Sequence, residues 1–235
     1  KGATVCKLNV QQNEISRNSA NVAVRILGTD LPQEIVTVTA HYDSVPEGPG
    51  AYDNMSGSAI VMEAFHYFAE HRPARTVDFI WFGSEEKGLV GSQNYVKNHQ
   101  AEMADHVFNL NVDLAGQLLG GNVLGVTADP TVCMALKELM EENQLGVTIK
   151  NQVWASDSNT FAWKGVPALT LNRDGFGMHT RHDTVEYISP WALEEGARVL
   201  CTAAAWVANE PALFFEKQIP EDMQGELERY FGSGF

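Results

Sequence analysis

An α/β fold, with a mixed and mostly parallel sheet between helices in a three-layer sandwich, is predicted by three features of this sequence. Short β-branched and aromatic runs alternate with segments of helical periodicity along most of the chain. Several of the runs are apolar nearly throughout, as strands buried on both faces are. Acidic or imidazole side chains follow the ends of four of them, where open α/β sheets place their sites.

The elements follow in order. Residues 21–27 alternate through Val22, Val24 and Ile26, and Gly28-Thr29-Asp30-Leu31-Pro32 is turn chemistry before a second run at 35–40, so the pair reads as a hairpin. That run ends at His41-Tyr42-Asp43-Ser44, and a Pro- and Gly-rich loop, 45–50, follows. Asp53-Asn54-Met55-Ser56-Gly57 opens a helix to about His71, with Ile60, Ala64 and Phe68 at helical spacing and Ser56 as its cap. Residues 76–82 form a strand, 89–98 a helix, and 107–114 a strand ending at Asp113 with Gly116 beyond. A short strand at 122–126, a helix at 130–143, a strand near 147–153, a helix near 158–164 and a strand at 168–171 come next. A loop containing His179-Thr180-Arg181-His182-Asp183-Thr184 precedes a long helix at 190–208, and the acidic, amphipathic tail forms a short helix around 223–231.

The 235 residues carry a formal charge of −14 with pI near 4.8, which argues against nucleic acid or an anionic membrane as partner. Cys6, Cys133 and Cys201 are widely spaced and make neither a disulfide framework nor a thiolate metal site; at least one is expected to be unpaired, as a small buried hydrophobe. No apolar run approaches the roughly 18 residues of a membrane span. The chain starts at Lys1, which suits a processed product, and a secreted or exported protein is the expectation.

The chemistry centres on residues 79–92, where the strand ends in adjacent carboxylates, Glu85 and Glu86. Two such groups beside buried aromatics repel and lose water, so a cation should meet them. His41, Asp43, Asp53, Asp113 and His179 stand at other strand ends or loops. A mixed imidazole and carboxylate set of this size suits two dications such as zinc, with Asp53 well placed to bridge them; cobalt or manganese could occupy the same ligands. His66, His71, His99 and His106 read as structural.

These motifs resemble the co-catalytic double-zinc exopeptidases, the family of secreted bacterial aminopeptidases, aminopeptidase Y and glutamate carboxypeptidase. The resemblance runs from Asn21 to about Ala208, through His41-Tyr42-Asp43, Gly50-Ala51-Tyr52-Asp53-Asn54-Met55-Ser56-Gly57, Glu85 to Ser92, Asp113-Leu114-Ala115-Gly116 and His179 to Thr184. It implies that Asp53 bridges two zinc ions, that His41 and Asp113 complete one and Glu86 and His179 the other, that Glu85 is the general base, and that the Asp53–Asn54 peptide is cis. His182, near His179, is the competing ligand, and the family pattern selects His179. Tyr52 and Met55 depart from the usual residues without removing a ligand.

Around that set, Asp43 lies two residues along the strand from His41 and should accept its second ring N–H. Ser156 and Asp157 match a Ser-Asp pair of the family and are expected to support His179. Asp183 is open between a turn cap and a supporting role. Trp154, Phe161, Phe176 and Met178 are candidates for a side-chain pocket or for core, and no substrate-binding residue is assigned. The implied activity is hydrolysis of the N-terminal bond of a peptide by water activated between the metals. The alternatives are a glutamate-type carboxypeptidase, for which Arg173, close to His179, could supply a cation though no basic cluster accompanies it, and a single-zinc glutaminyl cyclase-like transferase, which would not need the full ligand set. Residues 21–210 are the expected catalytic domain, 1–20 an extension and candidate stub of an accessory domain, and 211–235 a tail packing on the same domain. The oligomeric state is not legible.

Overall fold

A computed structural model describes residues 4–213 and 215–232 of the chain. The extension and tail expected from sequence fall outside it at 1–3, 214 and 233–235. Seven strands form one sheet: β1 (Val22–Ile26), β2 (Leu31–His41), β3 (Arg75–Phe82), β4 (His106–Val112), β5 (Asn122–Thr127), β6 (Val147–Asn151) and β7 (Ala168–Arg173). Their spatial order is β1-β3-β2-β4-β7-β5-β6. β2 pairs in parallel with β3 and β4, β4 with β7, and β5 with β6, while β1–β3 and β5–β7 are antiparallel. The mixed, mostly parallel α/β sheet of the sequence reading is what the chain forms.

Helices α1 (Ser56–Glu70), α3 (Pro130–Glu142) and α5 (Pro190–Asn209) cover one face, and α2 (Val90–Asn98), α4 (Ser158–Trp163) and α6 (Glu221–Gly232) the other. The first face holds the main core, in which Ile60, Val61, Ala64 and Phe68 of α1 meet Val36, Val38, Val77 and Phe79 of the strands. Fully burying a side chain such as Phe68 stabilises by roughly 1.5–3 kcal/mol. α3 starts where Asp129 accepts from the Thr131 N–H at 2.9 Å, and α5 where Ser189 accepts from Ala192, each with proline in its first turn.

The expected hairpin does not form. β1 lies antiparallel on β3, with Val22 opposite Trp81, and β2 runs between β3 and β4. Every residue of β2 from Ile35 to His41 is buried, so the strand takes neighbours on both edges; β1, mostly exposed, takes the rim. The Gly28 turn instead packs on the chain entering β3, with the Thr29 N–H donating to the Pro73 carbonyl at 3.0 Å. A Cβ at Gly28 would come within 2.4 Å of the Ala74 carbonyl oxygen. Ser56 is no helix cap either, since the chain is already helical at Met55; its hydroxyl donates to the Tyr52 carbonyl (2.7 Å) and accepts from the Ala115 N–H (3.0 Å).

Residues 4–20 are exposed and form no helix or strand. α6 packs Met223 and Leu227 against Ala162 and Ala168. Cys133 and Cys201 are half-buried against the core, Cys6 is exposed rather than buried, and none is in a disulfide. Among the described residues no helix is long and apolar enough to cross a membrane.

Candidate metal centre

Because β2, β3, β4 and β7 run parallel, their C-terminal ends share one edge of the sheet. β2 ends in His41, β3 leads through Gly83 and Ser84 to Glu85 and Glu86, and β4 leads directly to Asp113. Asp53 arrives on the irregular turn Ala51–Met55, and His179 on the loop after β7. Ser84, Leu114 and His179 are non-glycine residues with φ of 62°, 70° and 59°. Left-handed backbone at His179 and beside Glu85 and Asp113 is strain held by its surroundings, as at functional sites generally. The Asp53–Asn54 peptide is cis, as the resemblance implies.

Two triads meet at one aspartate. One ligand atom each from His41, Asp53 and Asp113 lie within 4.8 Å of one another, and so do one each from Asp53, Glu86 and His179. His41 Nε2 is 3.3 Å from Asp53 Oδ1 and 3.4 Å from Asp113 Oδ1. His179 Nε2 is 3.0 Å from both Asp53 Oδ2 and Glu86 Oε2. Asp53 therefore turns one oxygen toward each imidazole, the disposition of a bridging carboxylate. His41 is buried, while the His179 side chain is 49% exposed, so the second triad is the open one. His182 belongs to neither triad.

The charge balance asks for cations. Burial pushes the Glu85 carboxyl up to about 9, opposed by His41 and reinforced by Asp157, Asp113 and Glu86. Burial and Asp53 raise that of Glu86, whose Oε1 is buried without a hydrogen-bond partner among the described residues. Burial alone would depress the His41 imidazolium, yet Asp113, Asp43 and Asp53 outweigh it and hold it well above its usual value. The carboxylates around His41 thus favour positive charge at this point of the site. Hard-to-borderline dications fit this oxygen- and nitrogen-donor set.

The supports differ in detail from expectation. His41 Nδ1 lies 3.0 Å from the Asp43 backbone carbonyl and 3.7 Å from the Asp43 carboxylate, so the main chain, not the side chain, orients the ring. The Asp43 carboxylate accepts from the Glu85 and Glu86 N–H groups at 2.9 and 3.3 Å, which fixes the turn presenting both glutamates. Ser156 donates to Asp113 Oδ2 at 2.5 Å and so supports the other triad from the one expected, while Asp157 is fully buried with its carboxyl pushed up to about 7, chiefly by burial. Among the described residues neither is hydrogen-bonded to His179. The physical reason is the partner that Ser156 finds: it accepts from the buried Asn111 amide of β4 at 2.8 Å, which turns its hydroxyl to the end of that strand.

Asp183 resolves to support. It accepts from the Tyr52 and Asp53 N–H groups, at 2.5 and 3.0 Å, and so clamps the turn that carries Asp53. Asn54, quoted in a motif without a role, donates to the Val112 carbonyl (2.8 Å) and accepts from the Gly57 (3.1 Å) and Leu114 (3.2 Å) N–H groups, tying that turn to the end of β4. Asn172 donates to the Asp113 carbonyl at 2.8 Å. Only their buried amides, brought together by the fold, reveal these roles. Tyr52 donates its hydroxyl to the Arg173 carbonyl.

A cavity of about 470 Å³ lies over the triads, and Trp154 and Met178 line it. Phe161, the third pocket candidate, is fully buried against Phe82 and Tyr95, and Phe176 packs edge-on to Tyr187 outside that lining. Arg173 is consumed by the fold: it donates to the Gln117 and Leu118 carbonyls and the Asn122 amide oxygen, at 2.6, 3.3 and 3.1 Å. A buried guanidinium so engaged does not present itself to a terminal carboxylate. Gly88 has φ of 93°, and a Cβ at Gly91 would meet the Gly83 carbonyl oxygen at 2.4 Å, so both serve the backbone.

Sheet and site define a class: an α/β protein whose strand ends carry two imidazole–carboxylate triads joined through one aspartate. The chain belongs to peptidase family M28, whose profile matches residues 21–204. It is 27% identical over 215 residues to a vacuolar membrane protease of Saccharomyces cerevisiae, covering 84% of this chain and 22% of that protein. It is 30% identical over 200 residues to carboxypeptidase Q of Rattus norvegicus, covering 82% and 42%. The solved structure of BSAP, a zinc aminopeptidase from Bacillus subtilis, matches with TM-score 0.74 at 27% identity, over 86% of this chain and 53% of that one. The chain spans about a fifth to a half of the length of these relatives.

Proposed function

We propose that this chain is the catalytic part of a zinc-dependent exopeptidase, an aminopeptidase cutting the first bond of a peptide with a free N-terminus. Asp53, with one oxygen toward each of two imidazoles, carries the reading. His41, Asp53 and Asp113 would hold one zinc ion, and Asp53, Glu86 and His179 a second. Zinc, when bound, polarises a carbonyl and lowers the pKa of water. Residues 21–210 would form the catalytic unit.

Glu85 then does the proton work. It sits in the same cavity but in neither triad. Its backbone is pinned through Asp43, and burial gives its carboxyl a high affinity for a proton. Neighbouring positive charge draws it back to the carboxylate a base requires, after which it can take a proton from the attacking water and pass it to the departing amine. Trp154 and Met178 give the N-terminal residue apolar contact. The engagement of Arg173 within the fold favours the aminopeptidase over the carboxypeptidase, and two complete triads favour a peptidase over a single-zinc cyclase.

The test is metal content per chain together with hydrolysis of an aminoacyl-anilide panel before and after chelation. Two zinc per chain, with activity lost on chelation and restored by zinc, is the expected result. One zinc without amide hydrolysis would favour the cyclase, and two zinc with activity confined to C-terminal residues the carboxypeptidase. Asp53→Ala should lose metal at both positions.

A further inference from the structure

The segment from Gly83 to Gly91 links β3 to α2, carries both glutamates of the site and closes on itself. Ser84 and Leu89 within it have φ of 62° and 57°, so its shape must be held by its surroundings. At its neck the Val90 N–H donates to the Ser84 carbonyl at 3.1 Å. One side chain then spans both ends: Asn21 Nδ2 donates to the Gly91 carbonyl at 2.9 Å, and Asn21 Oδ1 accepts from the Gly83 N–H at 3.2 Å. Gly83 and Gly91 are buried, and a Cβ at Gly91 would stand 2.7 Å from Asn21 Oδ1, so amide and backbone are in close contact. Asn21 immediately precedes β1 and is itself seated. The Tyr42 hydroxyl donates to the Ala20 carbonyl at 2.7 Å, and a Cβ at Gly83 would come within 2.4 Å of Ser19 Oγ.

We propose that Asn21 is a positioning residue for the Glu85–Glu86 turn, and through it for the base and for one of the two metal triads. The inference rests on the exopeptidase reading above. The Asp43 carboxylate holds the middle of the turn through the Glu85 and Glu86 N–H groups, and Asn21 holds its two ends. A primary amide suits the task because it has a donor and an acceptor at one tip, and the two ends offer one carbonyl and one N–H. A carboxylate of the same shape can only accept, and would set its oxygens against the Gly91 carbonyl. The triad of His41, Asp53 and Asp113 takes no residue from the turn, so the effect of Asn21 falls on the triad that holds Glu86. That asymmetry separates positioning from simple support of the fold. It also gives the exposed rim strand β1 a part in the site, as the anchor of the residue that ties the turn.

The experiment titrates zinc into the full chain against a chelating dye and measures kcat and KM on an aminoacyl-anilide under saturating zinc. Wild type is compared with Asn21→Ala, Asn21→Asp and Arg25→Gln. Arg25 pairs with Asp78 at 2.7 Å further along β1, so its loss loosens the same strand without touching the turn. Both Asn21 variants should weaken one of the two zinc ions by about 10–100-fold and lower kcat by about tenfold or more, with KM little changed. In a His179→Ala background, where only the His41–Asp113 triad is complete, Asn21→Ala should leave zinc affinity as it was. Arg25→Gln should lower the unfolding midpoint and leave both zinc affinities and kcat at wild-type values. Where Asn21→Ala does not fold, Asn21→Asp, which keeps the acceptor for Gly83, carries the test. Equal weakening of both zinc ions, the same effect from Arg25→Gln, or Asn21 variants with wild-type zinc and kcat would each overturn the positioning role and leave the peptidase reading standing. Wild type that binds no zinc and hydrolyses no anilide would overturn both.

Discussion

Under α1, α3 and α5 the sheet presents Val36, Val38, Phe79, Leu110 and Leu171, whereas toward α2 and α4 it presents Thr37, Thr39, Asn109, Asn111 and Thr170, equally buried. The first face is held mainly by apolar burial, with the Trp81 indole donating to the Ser58 carbonyl at 3.1 Å and the Arg75 guanidinium to that of Val207 at 3.0 Å. On the second, polar groups are joined into a ladder: Asn109 Nδ2 donates to Thr37 and Thr39 at 3.1 and 3.2 Å, Thr39 to Asn111 Oδ1 at 2.8 Å, Asn111 to Ser156 at 2.8 Å, and Ser156 to Asp113 at 2.5 Å. Burying amides and hydroxyls costs stability unless each finds a partner. The same sheet thus keeps one face almost wholly apolar, and on the other carries, beside the cluster of Ile80, Phe82, Tyr95 and Phe161, a chain of polar groups that holds the Asp113 carboxylate in a fixed orientation.

Substitutions can break that division. Largest in effect is Glu85→Gln at the strand edge itself: kcat should fall by about 10²–10⁴-fold while zinc content holds, because only proton transfer is lost. Kinetics and elemental analysis on one preparation check this, and retained turnover would remove Glu85 as the base. On the apolar face, Phe68→Ala should cost about 3–5 kcal/mol in urea unfolding and leave the zinc content of the folded fraction unchanged.

His106 sharpens the comparison through pH. It is buried among Tyr95 and Phe161, neither ring nitrogen has a hydrogen-bond partner among the described residues, and burial with the charge of Lys217 depresses its pKa to about 4. Between about pH 6.5 and 4 the unfolded chain binds a proton there that the folded chain refuses, so stability falls as pH drops through that window, by about 3 kcal/mol in all. Urea unfolding at pH 7, 6 and 5 should show His106→Leu losing less stability than wild type across the series; parallel losses would contradict a neutral buried imidazole. Smallest is Ser156→Ala, which should weaken zinc at the His41–Asp113 triad by about 10–100-fold, read by competition with a chelating dye, and cost about 1–3 kcal/mol in unfolding because the buried Asn111 amide loses its acceptor.

Glu85, Glu86 and Asp113 are legible as candidates because each follows a strand that is itself legible, the aromatic and β-branched run 76–82 announcing the two glutamates and 107–112 announcing Asp113, whereas Asp53 and His179 lie in loops and rest on the motifs. The failures have one cause. Alternation at residues 21–27 marks a strand without naming its neighbour, and so β1 was matched to β2 instead of β3. Sequence order carries no information on which edge position a loop reaches, so Ser156 reads as a support of His179 although it bonds Asp113, and Asp43 reads as a side-chain partner of the His41 ring although its backbone carbonyl makes that contact.

By itself the sequence determined the alternation of strands and helices and the residue types at the strand ends, because hydrophobic period and side-chain chemistry are local properties. Only the tertiary structure decided that Asp53 stands between two imidazoles, that Asp183 and Asn54 clamp its turn, and that Asn21 spans the ends of the turn bearing Glu85 and Glu86. Each of those depends on contacts between residues tens of positions apart, fixed when parallel strands bring their ends to one edge and buried polar groups must find partners there.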